Sequence, residues 1–505
     1  MRIVHRFRNL ITAMLLLALL VGCGSAGGKS ANNESASETT GNTASEDAGG
    51  SAEQVTIRVM DWSDSIKPVR EEFHKRFMEK YPNIKIEYTV LSVDQYKNTI
   101  LAAVASGEAP DLFPVPVGMK LSSLVADGWY QPIDPYIDQS FKDIFSEGTF
   151  QDGTTMIDGQ IYSIPELLTL PSALVYYNKK LFREAGLDPE NPPQTYSEFR
   201  EAAKKITEAG KGSYYGIIEG GKQNNRWLTT VREWASLGGD GFSGNSPINL
   251  ATGDTTYDTQ PVKELFTLFA GMRDDKSFHP KTMSISAPEA RALFGQGQAG
   301  FIVQGAWCIG VWKKDNPDLE FGVMAPPVPD SGRKGSIPIV SSQAWIGLSA
   351  KSEHPEEAAL YLKEFYGGDY FQAERVKVGD AFSIVKGVNE ANLQIEQLKQ
   401  YYDLAMEYGN VVPDPGVRNP ETFKVFAEYK DVSPNVGELL GGTVAGAVKD
   451  PEGMLENYSK QVAQAWGAAI ETTKAKGSAV EASDFLFPNW DPMKDYAIAD
   501  YEALK

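Results

Sequence analysis

The sequence predicts an α/β protein of two lobes, on three observations. From Val55 onward, apolar runs of period two alternate with apolar stripes at helical spacing. The 505-residue chain is too long for one ordinary core. Its 42% hydrophobic and 11% aromatic content supplies enough apolar surface for more than one.

The elements follow in order. Val55, Ile57 and Val59 alternate with Thr56, Arg58 and Met60, a strand. Pro68 opens a helix whose buried stripe is Phe73, Phe77 and Tyr81, and Pro82 stops it. Ile84, Ile86, Tyr88 and Val90 form the next strand. Tyr96, Ile100 and Val104 form the next helical face, closed by Ser106-Gly107, and residues 112–117 are a third strand. This βαβαβ start predicts a parallel sheet covered by helices. Thr195 to Glu198 reads as a capping box ahead of Phe199, Ala203 and Ile206, with Gly210 as the C-cap. Pro355 opens a helix with Ala359, Leu362 and Tyr366 inward, ended by Gly367-Gly368. Residues 389–505 read as mostly helical, broken by Pro413, Pro415, Pro420 and Pro434.

The N-terminus reads as an address. Arg2, His5, Arg6 and Arg8 precede an apolar run over residues 10–21 that is too short for an ordinary membrane span, which needs about 20 residues. It therefore reads as the core of a secretory signal. Leu20-Val21-Gly22-Cys23 resembles a bacterial lipobox, which implies cleavage after residue 22 and lipidation of Cys23. Residues 23–53 carry no large apolar side chain and form a flexible tether spanning on the order of 30 Å. Cys308, in the apolar stretch FIVQGAWCIGVW, is left as a buried small hydrophobe with no disulfide partner. These features place the globular part at the outer face of a bacterial membrane.

Composition excludes several activities. Formal net charge is −19, and loss of Arg2, Arg6 and Arg8 with the signal makes the remainder more acidic, which argues against nucleic-acid binding. Gly295 to Gly300 satisfies G-x-G-x-x-G, but residues 288–294 before it read as a helix and residues 299–303 as a strand. A dinucleotide site needs the reverse order. His74, His279 and His354 lie apart and read as surface or structural residues. No metal, cofactor or catalytic residue is expected. A glycoside-cleaving enzyme would need two opposed carboxylates, and 67 acids offer no way to single out a pair.

Six blocks in order carry a family resemblance. They are VTIRVMDW (55–62) with the Tyr81-Pro82-Asn83 turn and IKIEY (84–88), ASGEAPDL (105–112), and DGWYQPID (127–134). Then come DGQIYSIP (158–165) with LVYYNKKLF (174–182), residues 294–307 ending Gly305-Ala306-Trp307, and WIGLSAK (345–351). Together they resemble the extracellular solute-binding proteins of ABC sugar importers, over about residues 54–370. The resemblance implies a periplasmic-binding-protein-like fold of two α/β lobes with a hinge and an interlobe ligand cleft. Lobe 1 would comprise 54–165 and about 331–385, and lobe 2 about 166–330 and 386–505. The crossings would fall near 164–169 and 326–338, where Pro165, Pro171, Pro326, Pro327, Pro329 and Pro338 interrupt regular structure.

The implied function is a tethered, monomeric receptor, not an enzyme, that closes on a carbohydrate and delivers it to the importer's permease subunits. A sensor lipoprotein of the same fold is the alternative. Sugar faces are apolar C–H patches ringed by hydroxyls, so aromatic rings with a few amides and carboxylates are the expected contacts. Trp307 matches the family's G-x-W element. Asp61 and Trp62 follow the first strand, where α/β sheets place ligand loops. Gln343 and Trp345 follow the second crossing, and Asn225, Arg226 and Trp227 precede or open a helix. Asp111 suits either a hydroxyl contact or a structural turn. Tyr176 and Tyr177 read as strand and core residues. Arg226 or Arg418 would serve if the sugar were acidic.

Overall fold

The computed structural model describes residues 54–63, 66–146, 148–239, 241–243, 246–340 and 343–504. The expected signal, Cys23 and the tether lie outside the described residues. The strands are β1 Val55–Asp61, β2 Ile84–Val90, β3 Leu112–Pro114, β4 Tyr130–Gln131, β5 Met156–Ile157, β6 Gln160–Ile161 and β7 Ser163–Ile164. They continue as β8 Leu174–Asn178, β9 Tyr215–Ile218, β10 Ala299–Gln304, β11 Phe321–Met324, β12 Ile337–Ile339, β13 Ile346–Ser349 and β14 Gly409–Val411.

Two principal sheets define two lobes. The first runs β2-β1-β3-β13-β4, with β7 also paired to β13. The second runs β11-β8-β10-β9. The expected parallel sheet is present only in part. β1 pairs with β2 and β3 in parallel, but β13 is antiparallel to β3, β4 and β7. The reason is topological. β13 enters the first sheet after the chain has built the second, so it does not arrive by a βαβ crossover, the connection that imposes a parallel partner.

Each sheet has its own core. Ile57, Val59, Phe73, Phe77, Leu112, Ile346 and Leu362 pack on lobe 1. Val175, Phe199, Phe301, Trp234 and Phe269 pack on one face of lobe 2, and Tyr176, Ile302, Trp312 and Tyr401 on the other. Tyr176 and Tyr177 are strand residues of this core, as read. A further cluster joins Ile248 and Leu250 to Val412, Val425, Trp466, Phe485 and Phe487 of the C-terminal region. There the helix Pro451–Ala475 presents Leu455, Tyr458, Val462, Trp466 and Ala469 as one stripe.

Local signals behave as their chemistry requires. Thr195 and Glu198 form the capping box of the helix Tyr196–Gly210. Thr195→Ala is expected to cost about 1 kcal/mol in urea unfolding, since one orphan helix donor loses its acceptor. The C-cap of that helix is Lys211, at φ 47°, not Gly210. Gly210 is needed for space instead, because a Cβ there would meet the Tyr214 ring at 2.7 Å. The G-x-G-x-x-G run does join a helix, Ala287–Gly295, to a strand, β10.

The chain passes between the sheets after β7, again between β11 and β13, and again after the helix Pro355–Gly367. At the first passage the Leu168 N–H donates to Phe382 O of the third (2.9 Å). A chain of buried charges also spans this region. Arg70 NH1 lies 3.2 Å from Asp61 Oδ2, and its NH2 pairs with Glu166 Oε1. The same Glu166 oxygen lies 3.2 Å from Arg375 NH1, and Arg375 NH2 donates to Asp380 Oδ2 at 2.8 Å. Arg70 also stacks over Phe365 and Phe371, 5.0 Å from each ring centre. Burial opposes its charge, but Asp61 and Glu166 outweigh burial and hold its pKa well above the ordinary value.

His74 is buried on the helix Lys67–Lys80, with Nε2 2.8 Å from the Tyr361 hydroxyl. Burial, aided by Arg70, pushes its pKa from 6.5 down to about 3. The unfolded chain therefore gains a proton between those values that the folded chain refuses. Stability should fall as pH drops through that window, with this group contributing up to about 1.4 kcal/mol per pH unit. Urea midpoints measured across the window should show a shallower slope for His74→Gln.

Candidate ligand-binding site

Three strand ends bring the lobe 1 aromatics together. Trp62 follows the carboxyl end of β1. The segment entering β13 is held by two bonds: Val115 N–H donates to Trp345 O (2.8 Å), and Trp345 N–H donates to Ser163 Oγ (2.9 Å). This sets Trp345 edge-on to Trp62, with ring centres 4.4 Å apart at 70°. Tyr96 also packs edge-on to Trp62, with ring centres 4.7 Å apart, and its own hydroxyl donates to Pro114 O. Trp62 and Trp345 are half-buried, and Gln343 is exposed. The Trp345 indole N–H has no acceptor among the described residues.

Trp307 comes from lobe 2. It follows the turn after β10 and is half-buried. Tyr176 Oη donates to Gly305 O (2.9 Å), which fixes that turn, and the Trp307 ring covers Gly305 so closely that no Cβ fits there. Leu168 of the first passage packs against both the core joined by Trp345 and the core joined by Trp307.

The other sequence-chosen residues are placed differently. Asp61 is 1% exposed, and its Oδ1 accepts from Tyr88 Oη (2.8 Å) and Ser63 N–H (3.0 Å). Asp111 is buried and accepts from Arg58 N–H (2.8 Å) and Ser352 Oγ (2.7 Å), which ties a turn. Arg226 is buried, donates to Val303 O (2.8 Å) and lies 3.8 Å from Glu219. Burial raises the Glu219 pKa, and Arg226 partly offsets this. Trp227 is 2% exposed, in the lobe 2 core, and its Nε1 donates to Gly221 O (3.1 Å). Asn225 is exposed on the first turn of the helix Asn224–Ser236. The structure therefore brings Trp62 and Trp345 together, leaves Gln343 and Asn225 exposed and Trp307 half-buried on lobe 2, and engages Asp61, Asp111, Arg226 and Trp227 internally.

Cys308 is a buried free thiol whose pKa burial pushes up to about 12, so it is not a nucleophile. No cluster of metal-ligating side chains occurs among the described residues. Nor is any described helix long and apolar enough to cross a membrane. Cavities of about 710 and 520 Å³ flank residues 249–259; residues of lobe 2 and the C-terminal region line the larger, and residues of lobe 2 with Pro329, Ser331 and Lys334 of the second passage line the smaller. Sequence reasoning missed Tyr96, which it assigned only to a helix face.

A sequence profile of the bacterial extracellular solute-binding protein family matches residues 62–369. The chain belongs to this family, whose members are binding proteins and not enzymes. A binding protein of Brucella abortus is 28% identical over 63% of this chain and 73% of its own length. A multiple sugar-binding protein of Streptococcus mutans is 23% identical over 62% of this chain and 71% of its own. Among solved structures, an ABC substrate-binding protein of Listeria monocytogenes in complex with cycloalternan superposes with a TM-score of 0.62. It is 18% identical and covers 82% of this chain and 100% of that one. That likeness establishes the fold: two α/β lobes of the periplasmic-binding-protein type.

Proposed function

We propose that this protein is a carbohydrate receptor that closes its lobes on a neutral or near-neutral oligosaccharide and delivers it to the permease of an ABC importer. The observation that carries the reading is the half-buried Trp62–Trp345 pair on lobe 1, together with the half-buried Trp307 on lobe 2. Stacked C–H faces and one or two directional polar contacts are what a sugar ring requires. The sugar-binding relatives named above support the same class of ligand.

Closure would be a hinge motion at the three passages between the sheets, and the importer would read the closed form. Cys23 would carry lipid and residues 23–53 would act as a tether, keeping a monomeric receptor at the outer membrane face. The test is a glycan-binding screen, followed by prolonged incubation with each ligand found and mass analysis of the sugar. Saturable binding with the sugar recovered intact supports the reading. Shortened products would move the protein to the hydrolases.

A further inference from the structure

The family match ends at residue 369, and the chain beyond it completes the larger cavity. At about 710 Å³ it has the size of a small-molecule site. One wall is the helix Pro451–Ala475, and the other is the lobe 2 segment 248–259. Two contacts hold the walls in place. The Phe487 N–H donates to Leu250 O (2.6 Å), and Ser459 Oγ donates to Asp258 Oδ1 (2.8 Å). Ile248, Trp466 and Ile470 line the cavity and are buried members of one packed cluster, so its base is fixed core. The helix also turns Gly467 into the cavity. A glycine inside a helix is destabilising relative to alanine, so its presence calls for a reason. The other glycine of this helix, Gly453, has one: a Cβ there would collide with the Asp450 carboxylate that caps the first turn. A Cβ on Gly467 would meet no heavy atom within 4 Å beyond its own helix. The packing of the described residues does not require Gly467; it leaves room for an occupant.

The charges of the lining are all of one sign. Asp254 and Asp258 line the cavity, and among the described residues no lysine, arginine or histidine does. Cations on adjoining segments are engaged elsewhere. Lys263 lies 3.2 Å from Glu452 and 3.3 Å from Glu456, and Arg418 donates to the carbonyls of Ser483 and Leu486. The lining hydroxyls have their protons committed as well. Thr259 Oγ1 donates to Thr256 O (2.8 Å). Ser459 spends its one proton on Asp258, so in its contact with Thr255 the threonine is the donor. The polar side of the cavity therefore presents acceptors and negative charge, opposite an apolar base.

We infer that this cavity is a second binding site, separate from the lobe 1 aromatics, and that it takes a small organic ammonium ion with an apolar body. The body occupies the space over Gly467 against Ile248, Trp466 and Ile470, and the ammonium, which has three donors and no acceptor, donates to Asp254 and Asp258. A sugar hydroxyl both donates and accepts, so this lining would use only half of its capacity. A carboxylate or phosphate would meet like charge, in a chain whose formal net charge is already −19. No residue of lobe 1 lines the cavity, so this inference stands or falls independently of the carbohydrate reading.

The test titrates the globular chain at low salt, by calorimetry, with butylammonium and 2-phenylethylammonium. The matched controls are 2-phenylethanol and 3-phenylpropanoate. The proteins compared are the parent, a double variant carrying Asp254→Asn and Asp258→Asn, and Gly467→Leu, which fills the space above the helix. Melting curves verify that each is folded. Gly467→Leu places its side chain in open space on a better helix former, so it should melt at or above the parent temperature and keeps the test decisive if the double variant does not fold. The expected result is saturable binding of at least one ammonium ion and of neither control, weakened about tenfold or more in the double variant and abolished in Gly467→Leu. Equal binding of 2-phenylethanol, or parent-like affinity in the double variant, overturns the assignment to a cation. Unchanged binding in Gly467→Leu, or binding of neither ammonium ion by the parent, overturns the site.

Discussion

Glu166→Ala is expected to lower the stability of the folded chain by about 3–5 kcal/mol, read as a shift in the urea-unfolding midpoint at neutral pH. Glu166 is the shared anion between two buried guanidiniums, Arg70 and Arg375, and both exposures are near zero. Removing it leaves two desolvated cations facing each other, with only the outer carboxylates Asp61 and Asp380 as partners. The magnitude comes from that uncompensated charge and not from the worth of the pair, because desolvation consumes most of the Coulomb attraction. Replacing Arg70, Glu166 and Arg375 together with apolar residues should therefore cost less than Glu166→Ala alone. A loss below about 1 kcal/mol for Glu166→Ala would mean that the network is not closed in solution as drawn. Because Glu166 sits on the first passage between the sheets, the network fixes the hinge strand on the lobe 1 side and leaves rotation to the residues after it.

The second large effect concerns binding. Trp345→Ala and Trp62→Ala should each weaken the bound oligosaccharide by about 10- to 100-fold in calorimetric titration, the usual cost of deleting a central aromatic anchor. Trp345→Ala removes the whole indole ring and its packing against Trp62. Trp345→Phe restores only the face, so it should recover part of the loss. The two rings touch at 4.4 Å, so their effects should be less than additive. Unchanged affinity in both single variants would place the ligand elsewhere.

Much of the fold was legible because local rules and tertiary structure agree in it. The Thr195 capping box, the Pro68 and Pro355 helix starts and the alternation in β1 and β2 are all local, and all are present. The direction of β13 was not legible. A short apolar run carries no record of the order in which the chain visits two sheets. The site was legible in its aromatics and obscure in its charges. Trp62 follows a strand end and Trp345 the second crossing, positions with a known consequence, whereas Trp227 opens a helix and lies in the core. Asp61 follows the same logic as Trp62, but side chains alternate along a strand, so neighbouring residues face opposite ways. One enters the buried Arg70 network and the other the half-buried aromatic face.

The central claim is reversible, non-hydrolytic capture of a sugar between two lobes. The most direct measurement is isothermal titration calorimetry of the globular chain against a panel of oligosaccharides. The account predicts saturable one-to-one binding of at least one neutral oligosaccharide, with a negative heat-capacity change as aromatic surface is buried. Absence of binding to every sugar, together with tight binding of a peptide or a metal ion, would contradict it.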